Sequence, residues 1–187
     1  MNKFHEVSEK FLKHKTETIL PVRSTKGSAG YDIFLKEDIT IPKATIKYVG
    51  KELSVDDNLL DTVLNIRDVI TNAQDNFEVI PSQVLTWTDV CVELDEDKYL
   101  QVVVRSSIGS KLGLQLANTI GIIDSDYFEN ASTGGNIGIC LKNLGTQDVH
   151  LKAGERIAQG KILSYHTVTD DDAEATRDGG FGSTNKK

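Results

Sequence analysis

The feature that most constrains the fold is a series of short runs rich in Val, Ile and Tyr, separated by clusters of Gly, Asn and Asp. β-branched and aromatic residues favour strands, and the clusters between them favour turns. Many short strands without regularly spaced helices predict an all-β domain, either a sandwich or a barrel. The runs lie around Tyr31–Leu35, Val84–Leu94, Tyr99–Val104, Ile137–Leu141, Val149–Leu151 and Ile157–Tyr165.

One segment departs from this pattern and predicts a helix over about residues 54–75. Ser54 suits an N-cap, the following aspartates favour a first turn, and apolar residues recur at helical spacing. This helix belongs to a segment, about 50–81, that interrupts the strand pattern. It is either a cover packed over the sheet or a surface for a protein partner, and both interpretations stay open.

Length and charge restrict the class of protein. The 187 residues fit one domain with an inserted element. A formal net charge of −7 argues against a nucleic-acid-binding surface, although a few arginines can still form a small anion pocket. No apolar run approaches the roughly 20 residues needed to cross a bilayer. With no membrane segment and no signal-like apolar stretch at the start, a cytoplasmic location is expected.

The cysteines and histidines give no metal pattern. Cys91 and Cys140 each lie inside an apolar alternating run, which predicts two buried strand thiols rather than a disulfide or a metal pair. The four histidines are scattered without ligand spacing, so a zinc site is not expected.

The C-terminal stretch changes character after Tyr165, where DDDAEAT precedes the glycine-rich RDGGFGSTNKK. Composition alone predicts a disordered terminus. The alternative is a flap that orders over a ligand, because Phe181 stands between glycines and is followed by Ser183 and Thr184.

Two central segments carry groups suited to phosphate chemistry. RSSIGSK, Arg105–Lys111, follows an apolar strand and offers a guanidinium and hydroxyls to phosphate oxygens. Taken alone, the segment is better explained as a polar strand end. QLANTIGIIDSDY, residues 115–127, ends in Asp124, Asp126 and Tyr127. A carboxylate at the rim of an apolar pocket can orient and deprotonate a water molecule, whereas the simpler interpretation is an Asp-rich hairpin turn.

Five segments together are more informative than each alone. AGYDIF, RSSIGSK, GIIDSDY, GERIAQ and GGFGST occur in this order and resemble the five motifs of the homotrimeric dUTPases. The resemblance covers roughly residues 18–48 and 82–184. It implies a β jelly-roll subunit of residues 1–176, a tail of residues 177–187 that closes over the active site, and a trimer with active sites between subunits.

The resemblance also implies an activity and a set of roles. The expected reaction is hydrolysis of dUTP to dUMP and pyrophosphate, with Mg²⁺ as cofactor and Asp124 orienting the water that attacks the α-phosphorus. Asp32 is expected to reach the Mg²⁺ through water, and Tyr127 to pack under the deoxyribose. The expected substrate-binding residues are Arg105, Ser106, Ser107, Asn118, Ile122, Ile123, Tyr127, Gly138, Gln159, Arg177, Phe181, Ser183 and Thr184.

Departures from the family pattern define the alternatives. The loop DYFENASTGGN after Asp124 is longer than the usual turn and lacks its arginine, and the spacer after Arg177 is shorter. The related dCTP deaminases need a glutamate where Cys140 stands here, which disfavours deamination. The helical segment raises the second alternative, a regulatory or interaction protein that keeps a dUTPase fold.

Overall fold

The computed structural model describes residues 1–48, 77–173, 175, 177, 179 and 180. Within these residues the chain is built almost entirely of antiparallel strands, with one α-helix and two short 3₁₀ turns, Glu9–Phe11 and Ser125–Tyr127. The elements are β1 (Lys3–Glu6), β2 (Tyr31–Phe34), β3 (Ile39–Ile41), β4 (Thr45–Tyr48), β5 (Phe77–Ile80), β6 (Ser82–Trp87), β7 (Val90–Glu93), β8 (Lys98–Val104), α1 (Ser106–Leu112), β9 (Leu114–Leu116), β10 (Gly121–Asp124), β11 (Gly138–Asn143), β12 (Val149–Leu151) and β13 (Arg156–Ser164).

Two sheets and three strand pairs make up this part of the chain. The larger sheet has the order β10-β8-β13-β2 and the smaller one β6-β11-β9, while β1 pairs with β7, β3 with β12 and β4 with β5. Alternate residues of β11 are buried, as expected for a sheet with one face toward the core. Leu100 of β8, Leu116 of β9 and Leu141 of β11 join one buried apolar cluster. The all-β class expected from the sequence is confirmed.

Two sequence expectations are corrected by local backbone geometry. The run Val84–Leu94 is two strands rather than one, because Asp89, which lies between β6 and β7, adopts a left-handed conformation (φ 57°) that interrupts the extended backbone. The segment after Arg105 is not a plain strand end but the helix α1. Gly113 ends that helix in the left-handed conformation that glycine adopts without penalty.

The helix predicted over residues 54–75 lies outside the described residues. Of the segment 50–81, the structure describes β5, which pairs with β4 in register Thr45 to Ile80. Among the described residues, no helix has the length and apolar character required to traverse a membrane.

The cysteines behave largely as expected. Both are free thiols on strands. Cys91 is buried, and this burial, together with the charge of Glu129, raises its pKa to about 11. Cys140 is only partly buried, and it lines the cavity of the candidate site.

Candidate active site

An apolar cavity opens beside β10 and the strands β9 and β11 of the smaller sheet. Its volume is about 490 Å³, which falls within the range of small-molecule sites. Val102, Leu116 and Ile139 form part of its apolar wall. Seven of the residues singled out in the sequence line it: Asn118, Ile122, Ile123, Asp124, Tyr127, Gly138 and Arg177.

Asp124 stands at the rim of this cavity because it is the last residue of β10. That strand pairs with β8, and Asp124 lies opposite Tyr99. Its side chain is 44% exposed, so the carboxylate faces both the cavity and solvent. Arg177 Nη2 donates to Asp124 Oδ2 at 2.5 Å, while Arg177 Nε donates to Asp126 Oδ1 at 2.8 Å. Both aspartates therefore share one guanidinium, although only Asp124 lines the cavity.

Tyr127 forms a buried wall of the same cavity. It ends the 3₁₀ turn Ser125–Tyr127 and is only 6% exposed. Its hydroxyl donates to the carbonyl of Asn136 at 2.9 Å and accepts from Thr133 Oγ1 at 3.1 Å. Burial raises the pKa of this phenol above its ordinary value, so at neutral pH it remains a protonated donor.

The long loop after Tyr127 folds into a compact turn. The carboxamide oxygen of Asn130 accepts the backbone N–H groups of Ser132 and Thr133 at 3.1 and 2.9 Å, which is an Asx-type closure. Gly134 has φ 63° and packs so tightly on Phe11 that a Cβ atom there would lie 2.1 Å from the ring. The loop is thus held by hydrogen bonds between its own residues and by packing against the N-terminal segment.

Beneath the loop lies a buried polar pair, Asp89 and Asn136. Asn136 Nδ2 donates to Asp89 Oδ1 at 3.0 Å, and Asn136 Oδ1 accepts the backbone N–H of Asp89 at 3.0 Å. Burial by itself would raise the pKa of the Asp89 carboxyl. Hydrogen bonds from the backbone of Lys13, from His14 and from Asn136 outweigh it, and they hold the pKa below its ordinary value. Asp89 thus binds the N-terminal segment, and Asn136 supplies the carbonyl that accepts the Tyr127 hydroxyl. The pair therefore connects the N-terminal segment to Tyr127.

A second, basic surface lies at the junction of β8 and α1. Its polar lining is Arg105, Ser107, Lys111, Glu155 and Arg156, with Ser106 exposed next to them. Three cations and a hydroxyl against one carboxylate suit an anionic ligand. We call this surface the basic groove. Within one chain, the described residues that line it and those that line the apolar cavity do not overlap.

Asp32 is a buried carboxylate that contacts the two arginines of the basic groove. The residue is 1% exposed, and its carboxylate accepts from Ser24 at 2.5 Å and from Gln159 Nε2 at 2.9 Å. It also pairs with Arg105 at 3.0 Å and with Arg156 at 3.2 Å. Burial opposes ionisation, but these hydrogen bonds and the Arg105 charge lower the pKa of Asp32.

These contacts bear on the expected metal. Both carboxylate oxygens of Asp32 already accept from protein donors, so Asp32 does not fit a direct metal ligand. Among the described residues, no group of three or more His, Cys, Asp or Glu side chains is placed to hold a metal ion. The water-mediated contact of Asp32 with Mg²⁺ therefore stays a prediction.

The start of the tail reaches the apolar cavity. Arg177 and Gly180 both line it, and a Cβ atom on Gly180 would lie 2.9 Å from Tyr127 Cε2. Only glycine allows the backbone to approach the tyrosine ring this closely. Phe181, Ser183 and Thr184 lie outside the described residues.

Sequence reasoning did not find the residues that support the cavity: Asp89, Asn130, Thr133 and Asn136. Their one local signal is polar residues next to apolar runs, which also marks ordinary turns. Asp89 and the side chain of Asn136 have partners far away along the chain, and the His14–Asp89 contact spans 75 positions. Asn130 and Thr133 instead bond within their own loop, in a pattern shared with ordinary turns.

Comparison with known proteins gives the family. The model of the family described as dUTPase matches residues 68–185, which is more than half of the chain. The chain belongs to the dUTPase family. This confirms the resemblance inferred from the five motifs, and the matched range includes β8 to β13, which carry the cavity and most of the basic groove.

Curated relatives and solved structures agree with this membership. The deoxyuridine 5'-triphosphate nucleotidohydrolase of Lactococcus lactis is 28% identical over 94% of this chain and 95% of its own length. The protein of that name from Neorickettsia sennetsu is 32% identical over 79% of this chain and 89% of its own length. The crystal structure of the Streptococcus mutans dUTPase, 27% identical, superposes with a TM-score of 0.61 and covers 88% of this chain and 97% of that one.

A more distant neighbour supports the fold alone. The dUTPase of phage phi11 of S. aureus is 19% identical, covers 94% of this chain and 97% of its own, and has a TM-score of 0.58. That structure is described as showing a species-specific insert, and a related structure of the same phage protein as showing a structural Mg(II) ion.

Proposed function

We propose that this dUTPase-family chain hydrolyses dUTP to dUMP and pyrophosphate, with Asp124 as the residue that activates the attacking water. The observation that carries the proposal is the position of Asp124, a partly exposed carboxylate at the rim of an apolar cavity with a buried tyrosine wall. A phosphoanhydride needs a positioned water and charge neutralisation more than covalent help, and a carboxylate at a pocket rim suits the first task.

The substrate orientation follows from the walls of the cavity. Asn118 and the backbone near Ile122, Ile123 and Gly138 offer hydrogen-bonding groups to the edge of a uracil ring. Tyr127 then lies against the sugar, where a buried ring leaves little room for a 2′-hydroxyl. The tail would complete the site, with Phe181 stacked on the base and Arg177, Ser183 and Thr184 at the outer phosphates.

The phosphates are assigned to the basic groove of a neighbouring chain. Support comes from the separation of the two surfaces within one chain, since the groove residues Arg105 and Ser107 share no cavity with Asp124. In a cyclic homotrimer such head-to-tail contacts close, so each cavity can meet the groove of the next subunit. Ser106 and Gln159 belong to the groove side of this composite site.

The activity is tested by pyrophosphate release from dUTP, dTTP, dCTP and UTP, with and without Mg²⁺, alongside ammonia release from dCTP. The expected result is turnover of dUTP well above the other three and no ammonia. Equal rates on dTTP and dUTP would contradict the assigned substrate, and ammonia release would favour a deaminase. Loss of turnover without Mg²⁺ tests the predicted cofactor, which, like the cytoplasmic location, stays a prediction.

The composite site is tested by mixing two variants, Asp124→Asn and Arg105→Ala. Each alone lacks one half of every site. In trimers assembled at random from a 1:1 mixture, about a quarter of the sites regain both halves, so activity should return. Mixtures that stay as inactive as the separate variants would show that cavity and groove do not meet between chains, while light scattering reports the assembly independently.

A further inference from the structure

Tyr127 is held by a relay of hydrogen bonds that the long loop supplies. Asn130 Nδ2 donates to Thr133 Oγ1 at 2.9 Å, Thr133 Oγ1 donates to the Tyr127 hydroxyl at 3.1 Å, and that hydroxyl donates to the Asn136 carbonyl at 2.9 Å. The Thr133 hydroxyl has one hydrogen and a second acceptor within reach, Asn130 Oδ1, also at 3.1 Å. When that hydrogen is directed to Tyr127, each member accepts from one neighbour and donates to the next, the arrangement in which hydrogen bonds strengthen one another.

Both ends of this relay are fixed. Asn130 is 5% exposed, and its second amide hydrogen goes to the carbonyl of Tyr127 at 2.8 Å. At the other end, the side chain of Asn136 is completely buried and is bound to Asp89 and to the carbonyl of Phe11. The tyrosine ring can therefore move only if buried hydrogen bonds break.

The position of the ring matters for the cavity. Tyr127 lines the cavity that holds Asp124, and its ring packs against Gly180, which lines the same cavity. A small displacement of the ring changes both the space available to a sugar and the surface against which Gly180 of the tail packs. A residue that fixes the hydroxyl therefore acts on sugar selection without touching the substrate.

We infer that Thr133 is a positioning residue for sugar specificity, which it sets by holding the Tyr127 ring against the deoxyribose subsite. The inference rests on the proposed function, because it assigns the sugar to the tyrosine wall. Thr133 lies in the stretch of loop by which this chain departs from the usual family turn, so the loop is a structural support for the pocket rather than a surface elaboration.

The test compares Thr133→Val with a matched Thr→Val change. Thr86 is 2% exposed, and its hydroxyl finds no hydrogen-bond partner within the part of the chain that the structure describes, so Thr86→Val removes a buried hydroxyl outside the relay. The readout is kcat/KM for dUTP divided by kcat/KM for UTP. Loss of one hydrogen bond in the relay should lower this ratio about fivefold in Thr133→Val. Thr86→Val should leave it unchanged.

Two further variants separate positioning from folding. Thr133→Ser keeps the hydroxyl and should restore the ratio. Tyr127→Phe removes the acceptor, so adding Thr133→Val to it should cause no additional loss. If Thr133→Val does not fold, Thr133→Ala takes its place in the same cycle.

The outcomes are distinct. A ratio that falls in Thr133→Val, returns in Thr133→Ser and does not fall further in the double variant supports the inference. An unchanged ratio, or losses that add in the double variant, would overturn it. If the wild-type chain hydrolyses neither nucleotide, the proposed function fails. Calorimetric binding of dUMP against UMP to the same variants then decides the positioning role on its own.

Discussion

The two aspartates that the sequence singles out, Asp32 and Asp124, have opposite surroundings. Asp32 is 1% exposed, accepts hydrogen bonds from Ser24, Gln159 and Arg156, and forms an ion pair with Arg105. The side chain of Asp124 is 44% exposed, and among the described residues its carboxylate has one partner, Arg177.

This contrast separates two uses of a carboxylate. A group whose oxygens are all engaged by fixed donors is held ionised and orients those donors, as Asp32 does for Arg105 and Gln159. A group with a free face at a cavity rim can accept a proton from water and release it again. Asp32 is thus expected to organise the basic groove, and Asp124 to carry the proton transfer.

The largest effect is expected from Asp124→Asn. The amide keeps the size of the side chain but cannot serve as a general base, so kcat for dUTP should fall by about 10²–10⁴-fold. Binding of a non-hydrolysable dUTP analogue should persist. Steady-state kinetics and calorimetry measure the two quantities.

Asp126→Asn is the matched control, because Asp126 also pairs with Arg177 but does not line the cavity. It should retain most of kcat. Equal losses in both variants would assign the effect to the charge near Arg177 and remove Asp124 from the proton transfer.

The next effect concerns Asp32→Asn. This change leaves two arginines beside an amide that cannot balance their charge, so the free energy of unfolding should fall by about 2 kcal/mol, a value reduced for the partial exposure of the arginines. The KM for dUTP should rise with it, because Arg105 and Gln159 lose their common anchor. Urea unfolding and steady-state kinetics measure these changes.

The control for Asp32→Asn is Asp38→Asn, an exposed aspartate paired with Lys152 at 2.7 Å. Because both partners of that pair face solvent, its loss should change stability much less. Should the two variants unfold alike, the burial of Asp32 has no energetic role.

Arg177→Ala should have a moderate effect on catalysis and little on stability. Its ion pairs with Asp124 and Asp126 are partly exposed, so the melting temperature should barely change. Loss of one charged contact to substrate or tail should reduce kcat/KM for dUTP about tenfold. Arg177→Lys keeps the charge but not the planar fork, and it should recover only part of this loss. Wild-type kcat/KM in Arg177→Ala would remove the residue from the site.

The sequence predicts a structural feature of this molecule when the residues that determine it lie close together along the chain or within a recognisable motif. Strand alternation predicts β11, and the family resemblance assigns Asp124 and Tyr127 to one site, where both line the same cavity. Helix α1 was missed because its serines and Gly109 have low helix propensity. The helix is instead set by tertiary packing, with Ile108 buried and a left-handed glycine at its end.

The supporting polar network was out of reach for a related reason. The bond between Asp89 and His14 joins residues 75 positions apart, and no local pattern encodes that meeting. The same holds for Asp32, whose partner Gln159 lies 127 positions away. Motif resemblance could bring Asp32 and Gln159 into one site, but it could not show that they bond to each other.

The smallest effect is the acid dependence of stability. It allows Asp32 to be compared with Asp89, the other aspartate that is buried among the described residues. Both have pKa values lowered in the folded protein, so the unfolded chain takes up protons first as the pH falls. Their stabilisation is complete above the ordinary carboxyl pKa near 4 and is lost as the pH falls toward the lowered folded values. Between pH 6 and 4 these groups only begin to titrate, so the change there is small. The free energy of unfolding, measured with urea from pH 6 to 3, should therefore fall more steeply with decreasing pH below pH 4 in the wild type. In Asp89→Asn this fall should be shallower. An unchanged slope in Asp89→Asn would remove Asp89 from the acid sensitivity and assign it to the other carboxyl groups with lowered pKa values, Asp32 among them.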